Sequence, residues 1–396
     1  MKGKTYICLA VGITILILTS AASAQDEQWL QYHSEREAMQ IVGDMTRSNL
    51  RLTSEKPQGV ELPDFNCDAP FFASWSTPMV ENEPPIWIAV DRSAEQGRWD
   101  QLYIDSNING HLNDENPVKA YRTDQYYTYF GPVKVVFEGE DGPLTYHLNF
   151  MFRENEETRQ LYVSTGCWYE GDITVAGAKK YCMLIDYNGN GTFNDKSLNS
   201  SDCDRIRIGE KGTRDTGYVG NYIEIDNVLY HTEIARDGAY IKLSKAEDVK
   251  LGTVRLPDTI TEFAAGGENG LFTFKPENGA GSLPVGKYRI NSWTIERKDE
   301  KGKKWELQGK SYTPQGDFEI TEGAEKSLEI GEPLRGNLQV SFNAETENYE
   351  FEKNVRGRMG EYVTLTRGGQ RVSNLWKMRA KNKEGTFAKT YPMPDQ

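Results

Sequence analysis

Two stretches of the chain place oxygen-bearing side chains at alternating positions. Residues 104–114 read Ile-Asp-Ser-Asn-Ile-Asn-Gly-His-Leu-Asn-Asp, and residues 185–195 read Ile-Asp-Tyr-Asn-Gly-Asn-Gly-Thr-Phe-Asn-Asp. The two share seven of eleven residues at an offset of 81, which sets them apart from chance turns. Counting from the first Asp, loop positions 1, 3 and 5 are Asp105, Asn107 and Asn109 in the first loop and Asp186, Asn188 and Asn190 in the second. Gly110 and Gly191 at position 6 allow a sharp reversal, and position 7 offers a backbone carbonyl, from His111 and Thr192. A hard divalent cation such as calcium takes six to eight oxygens on a turn of this kind. Position 12, where a bidentate carboxylate is wanted, holds Asn116 and Ser197. Asp114 and Asp195 are therefore expected to stand in, with Asp202 or Asp204 also in reach of the second loop. Neutral amides at positions 3 and 5 put the expected affinity at roughly 10⁻⁴ to 10⁻³ M, which fills only where calcium is millimolar. Asx residues and glycine also build turns without metal, because their side chains bond their own backbone. His111 is expected to face solvent.

These loops resemble the calcium loops of EF-hand, dockerin and thrombospondin type-3 proteins, with D-x-N-x-N-G in place of D-x-D-x-D-G. The resemblance implies extracellular calcium sites of the weak class.

The elements that must position the loops are strands. Each loop follows an apolar run, Gln101-Leu102-Tyr103-Ile104 or Cys182-Met183-Leu184-Ile185. From Leu50 onward, short runs rich in β-branched and aromatic residues recur between Gly, Pro, Asn and Asp, as in Ile86-Trp87-Ile88-Ala89-Val90 and Val133-Lys134-Val135-Val136-Phe137. This pattern predicts a mainly β chain built of sandwich-like units. A short N-terminal helix is expected between Asp26 and Met45, where Glu35-Arg36-Glu37-Ala38-Met39-Gln40 are helix formers. The expected division is a signal segment at 1–24, a helical segment at 25–50, β units at 51–160 and 161–250 with one loop each, a sandwich-like domain at 251–332 and a C-terminal β segment at 333–396. Within the stretch 251–332, Leu283-Pro284-Val285-Gly286-Lys287-Tyr288 resembles the L-P-x-G-x-Y strand entry of prealbumin-like and carboxypeptidase-regulatory-like sandwiches.

Residues 1–24 carry Lys2 and Lys4, an apolar stretch from Ile7 to Leu18 and a closing Ala22-Ser23-Ala24, the pattern of a cleaved signal peptide. A retained N-terminal anchor is the alternative. Without the two lysines the formal charge moves from -13 to -15. Such an acidic chain repels phosphate backbones and anionic membranes, which excludes nucleic acid as an expected partner. The expected location is secreted, periplasmic or cell-surface, with no transmembrane segment in the mature chain. Cys67, Cys167, Cys182 and Cys203 remain after cleavage and permit two disulfides. A Cys182–Cys203 bridge would close the second loop, and buried free thiols are the other possibility.

No G-x-S-x-G, H-E-x-x-H, P-loop or Rossmann motif occurs. Carboxylate pairs such as Glu224 with Asp226, or Glu233 with Asp237, share a strand face by periodicity alone. Trp75, Trp87, Trp99, Trp168, Trp293, Trp305 and Trp376 are expected mainly in cores, whereas Tyr126-Tyr127-Thr128-Tyr129-Phe130 is open to sugar stacking. The whole chain resembles uncharacterised exported bacterial proteins that combine such loops with β-sandwich units. Two functions follow as expectations. One is a non-enzymatic structural or binding protein with calcium-braced domains, facing a cell-surface polysaccharide or protein. The other is a carbohydrate-active hydrolase or an array of carbohydrate-binding modules.

Overall fold

A computed structural model describes residues 27–372 except 81–84, 140–141, 155–157, 311, 313 and 345–346, and then 377–381, 384, 386 and 388–392. The expected signal segment and Trp376 lie outside these residues. The chain is mainly β, with 53% of residues in strands against 2% in helix, as the alternating apolar runs require.

The helix expected over Asp26–Met45 does not form at that length. It is confined to α1 (Ala38–Val42), preceded by two short strands, β1 (Gln28–Trp29) and β2 (Gln31–Ser34). Tertiary pairing overrides local preference here: β1 lies against Ile241 and Tyr240, and β2 against residues 167–170.

Four sheets follow in two pairs. The first pair uses β3 (Ser48–Leu50), β4 (Phe71–Trp75), β5 (Ile86–Asp91), β6 (Gln101–Ile104), β7 (Val118–Lys119), β8 (Arg122–Thr123), β9 (Tyr127–Gly139), β10 (Gly142–Glu154) and β11 (Arg159–Thr165). Its sheets run β3-β11-β10-β9-β8 and β4-β5-β6-β7. The second pair adds to β1 and β2 the strands β12 (Cys167–Val175), β13 (Ala178–Ile185), β14 (Arg205–Gly209), β15 (Gly217–Tyr218), β16 (Tyr222–Ile225), β17 (Val228–Ile234) and β18 (Tyr240–Lys245). Its sheets run β1-β18-β17-β16 and β2-β12-β13-β14-β15. Four strands of each sheet follow the same order in both pairs, with β8 and β15 as additional edge strands, and each Asx–Gly loop joins the third and fourth strands of the second sheet. β5 and β12 begin at 86 and 167, and β11 and β18 at 159 and 240, so the offset of the loops recurs in the strands. The whole first pair is threaded between β2 and β12 of the second. One apolar core, from Leu30 through Trp75, Phe137 and Leu184 to Ile241, draws on all four sheets.

Beyond residue 250 a second core forms around Phe263, Tyr288, Trp293 and Ile295. Its strands are β19 (Leu251–Arg255), β20 (Glu262–Gly267), β21 (Gly270–Phe274), β22 (Ala280–Pro284), β23 (Gly286–Lys298), β24 (Lys304–Lys310), β25 (Asp317–Ile320) and β26 (Glu325–Ser327). Then come β27 (Arg335–Asn343), β28 (Asn348–Arg356), β29 (Tyr362–Arg367) and β30 (Gln370–Arg371). They build a small sheet, β22-β19-β26, against a large one, β21-β20-β23-β24-β29-β28-β27. β29 pairs with β24 along six residues, so the segment after 333 extends this sheet. A final hairpin, β31 (Lys377–Lys381) with β32 (Ala388–Pro392), pairs with itself. The Leu283–Tyr288 segment is the corner between the two sheets. Tyr288 is fully buried there and its hydroxyl donates to the Pro284 carbonyl at 2.8 Å.

Candidate functional site

The second loop is built from β13 outward. Alternation along that strand buries Cys182 and Leu184 in the main core and Met183 and Ile185 against Trp168, so Asp186 emerges wholly buried. One Asp186 oxygen accepts the Gly189 and Asn190 amides at 2.7 and 3.3 Å. The other accepts the Gly191 amide at 2.7 Å and the Tyr146 hydroxyl at 2.6 Å. Asn188 Oδ1 receives the Asn190 amide at 3.0 Å, and Asn190 Oδ1 receives both the amide and the hydroxyl of Thr192. The two side-chain amide NH₂ groups then converge on Asp195, at 3.2 and 2.6 Å. Asp204, also wholly buried, closes the loop by accepting the Tyr187 amide at 3.1 Å and the Asp195 amide at 2.8 Å.

The first loop repeats most of this. Asp105 is 1% exposed and accepts the Asn109 and Gly110 amides at 3.0 and 2.9 Å. Asn107 and Asn109 turn their NH₂ groups on Asp114, at 3.0 and 2.8 Å. Glu115 takes the part that Asp204 plays in the other loop: it accepts the amide at loop position 2, from Ser106, at 2.6 Å. His111 does not simply face water, because its Nδ1 accepts the Glu61 amide at 3.1 Å. Neither residue found at position 12 is placed to serve. Asn116 is exposed, and Ser197 is tied to the Cys203 sulfur. Asp202 is exposed and bonded to Asn199.

The loops differ in their surroundings. Asn107, Asn109 and Asp114 are exposed, whereas the second loop is covered by the first sheet pair. Trp75 Nε1 donates to the Gly189 carbonyl at 2.9 Å, Tyr146 stacks on Trp75, and Ser48 reaches the Asn188 carbonyl. Gly189 has φ +68°, and a Cβ there would sit 3.2 Å from the Thr165 amide nitrogen. Its counterpart Ile108 adopts φ 59° despite a branched side chain, a costly conformation that the loop imposes.

Three carboxylates gather in each loop, Asp105, Asp114 and Glu115 in the first and Asp186, Asp195 and Asp204 in the second, where they are the more buried. Burial, and then the hydrogen bonds it must outweigh, leave Asp186 with its pKa pushed up to about 6. Burial and the Asp186 and Asp195 charges push Asp204 well above the ordinary carboxylate range. Among the described residues, no basic side chain lies within 4.0 Å of Asp186, Asp195 or Asp204. Arg205, next in sequence, stacks on Tyr187 and spends its guanidinium on the Cys203 and Ser200 carbonyls. The oxygens aim at different N–H groups, and no three His, Cys, Asp or Glu side chains among the described residues are grouped to hold a metal.

The remaining candidates are dispersed. Asp226 pairs with Lys180 at 2.7 Å, Glu233 with Lys242 at 2.9 Å, and Asp237 accepts the Ala239 amide. The tyrosine cluster is not a flat strip: Tyr127 and Tyr129 are inclined at 40°, and Arg122 covers Tyr129 at 3.9 Å. Trp75, Trp99, Trp168 and Trp293 are buried in cores. The Cys182–Cys203 bridge is absent. All four described cysteines are free and buried, with Cys182 turned into the main core and Cys203 bonded to Ser197. Sequence reasoning missed Tyr146, Trp75 and Glu115, which reach the loops from other strands or an unexpected loop position.

No family model, no curated protein and no solved structure matches this chain.

Proposed function

We propose that the chain is an exported, non-enzymatic structural or binding protein whose first two β units are duplicated, one inserted in the other, and braced by calcium at the Asx–Gly loops. One observation carries this reading: Asp186 and Asp204 are wholly buried beside Asp195, and among the described residues none of the three has a basic side chain within 4.0 Å. A buried carboxylate left uncompensated costs several kcal/mol, so the site calls for a proton or a cation. The donor chemistry suits a hard cation, since carboxylates and amide oxygens are the ligands calcium prefers. The orientation suits it only after the Asn188 and Asn190 amides turn their oxygens toward Asp195 and give up their bonds to backbone N–H groups. That exchange supports affinity at the weak end.

Asp186, Asn188, Asn190, Asp195 and the Thr192 carbonyl would hold the ion in the second loop, with Asp105, Asn107, Asn109, Asp114 and the His111 carbonyl in the first. The ion would supply charge neutralisation and stiffness. In the second loop it would also secure the joint that Trp75 and Tyr146 make between the two sheet pairs.

Thermal unfolding in millimolar calcium against excess chelator tests the reading. Calcium at about tenfold over Kd should add about 1.4 kcal/mol of stability. The midpoint should rise for the natural chain and not for the double variant Asp105→Ala with Asp186→Ala. No rise in the natural chain, or an equal rise in the variant, removes the metal from the argument.

A further inference from the structure

A cleft of about 390 Å³ opens where the second sheet pair meets the third region. Tyr218 and Ser200 line one side, and Arg289, Asn291, Gln308 and Lys310 the other. Interfaces between structural units are a preferred place for ligand clefts of this size.

The floor is constructed in detail. On β23, Ser292 pairs with Ala264 and Ile290 with Ala265, so Asn291 is the extra residue of a bulge. Bulges re-aim side chains, and here the residue concerned lines the cleft. The Tyr218 ring packs on Gly266, where a Cβ would come within 2.4 Å of it, and its hydroxyl donates to Asn291 Oδ1 at 2.9 Å. With that oxygen used, the Asn291 NH₂ remains as a donor. Asp317 holds Arg289 through Nε and Nη2, at 2.5 and 3.0 Å, and leaves the other Nη available. Lys310 is exposed and has no acidic side chain within 4.0 Å among the described residues.

No carboxylate lines the cleft, in a chain whose net charge is -13. Asp317 neutralises Arg289, so Lys310 supplies one net positive charge. Around it stand amide and hydroxyl groups, with only Leu198 and Ile290 offering aliphatic surface. One cation among neutral hydrogen-bonding groups matches a ring that carries one carboxylate and several hydroxyls. Phosphate, which concentrates up to two charges on a single group, would ask for more than one cation there.

We propose that this cleft binds a uronate-bearing saccharide, with the sugar carboxylate at Lys310 and its hydroxyls on Asn291, Gln308 and Arg289. The assignment is independent of calcium at the Asx–Gly loops. Isothermal titration calorimetry on the full mature chain, with digalacturonate, neutral galactobiose and inorganic phosphate as separate probes, tests it. Digalacturonate should bind at least tenfold more tightly than galactobiose, in chelator as well as in calcium. Lys310→Ala should abolish that preference while leaving the thermal midpoint unchanged, and Asn291→Ala should weaken both sugars. The proposal is overturned if digalacturonate does not bind, if the neutral sugar binds equally, if phosphate competes as strongly, or if Lys310→Ala keeps the preference. Binding that survives chelation while calcium leaves the midpoint unmoved would sustain the cleft and sink only the metal.

Discussion

Asp186 accepts four hydrogen bonds, and hydrogen bonds to a charged group are worth roughly 1.5–3 kcal/mol each. Desolvation still wins, because burial is the largest influence on this carboxylate and lifts its pKa to about 6. An unfolded Asp titrates near 3.9. The folded chain therefore binds more protons between about pH 4 and 6, and this group's contribution to stability is lost as pH rises through that window. Calcium needs the ionised form, which protons contest. In chelator, the Asp186 contribution should make the fold more stable at pH 5 than at pH 7, and the calcium-induced rise in midpoint should be largest above pH 6 and shrink toward pH 4. Melting curves at matched ionic strength would check this, and a calcium effect that grows on acidification would contradict it. The residues at loop positions 1, 3 and 5 were legible because they sit in one short stretch. Tyr146 was not, because it stands 40 residues before its partner and is placed there only by the register of β10. Glu115 was hidden for another reason: in the first loop it does from loop position 11 what Asp204 does in the second from nine residues beyond Asp195.

Strands were legible where β-branched and aromatic residues ran for five positions, as at Ile86–Val90 in β5 and Val133–Phe137 in β9. The segment before residue 45 misled because its helix formers are real but only five of its residues form α1. β1 and β2 are two and four residues long, too short for a periodic signal, and their partners lie more than 130 residues away. The cysteines misled in a related way. Cys182 and Cys203 flank a loop in sequence, yet the pleat of β13 turns Cys182 toward Leu184 while Cys203 folds back on Ser197. Burial pushes the Cys182 thiol up to about 12 and the Cys67, Cys167 and Cys203 thiols up to about 11, so little thiolate is available to react. Reducing agent should leave the melting midpoint unchanged. Iodoacetamide without reductant should modify all four only after denaturation, each located by peptide mass. Recovery of a Cys182–Cys203 linked peptide from unreduced protein would refute the free-thiol arrangement.

Two cores divide the molecule as a whole. The first joins both sheet pairs through Leu30, Trp75, Tyr146 and Ile241, and the second holds the strands from Val254 to Val363. Between them, Tyr222 and Leu229 pack against the second core, and backbone hydrogen bonds tie the two units together. The Asn221 and Tyr222 amides donate to the Glu268 and Asn269 carbonyls, and Gly220 meets Gly270 so closely that a Cβ would come within 2.2 Å. Cooperative unfolding follows shared apolar burial, so each core is expected to melt as one unit. Calorimetry should therefore resolve two transitions, and only the one belonging to the first core should move with calcium. The threading of the first sheet pair between β2 and β12 sharpens the expectation. Removing residues 27–34 strips an edge strand from each sheet of the second pair, Leu30 from the core and the backbone bond from Leu30 to Ala239. The shortened chain should lose or broaden the calcium-sensitive transition and keep the other at its original temperature. A single transition in the full chain would refute separate melting of the two cores, and an unaltered first transition after the deletion would mean that the cohesion of the two sheet pairs does not depend on those eight residues.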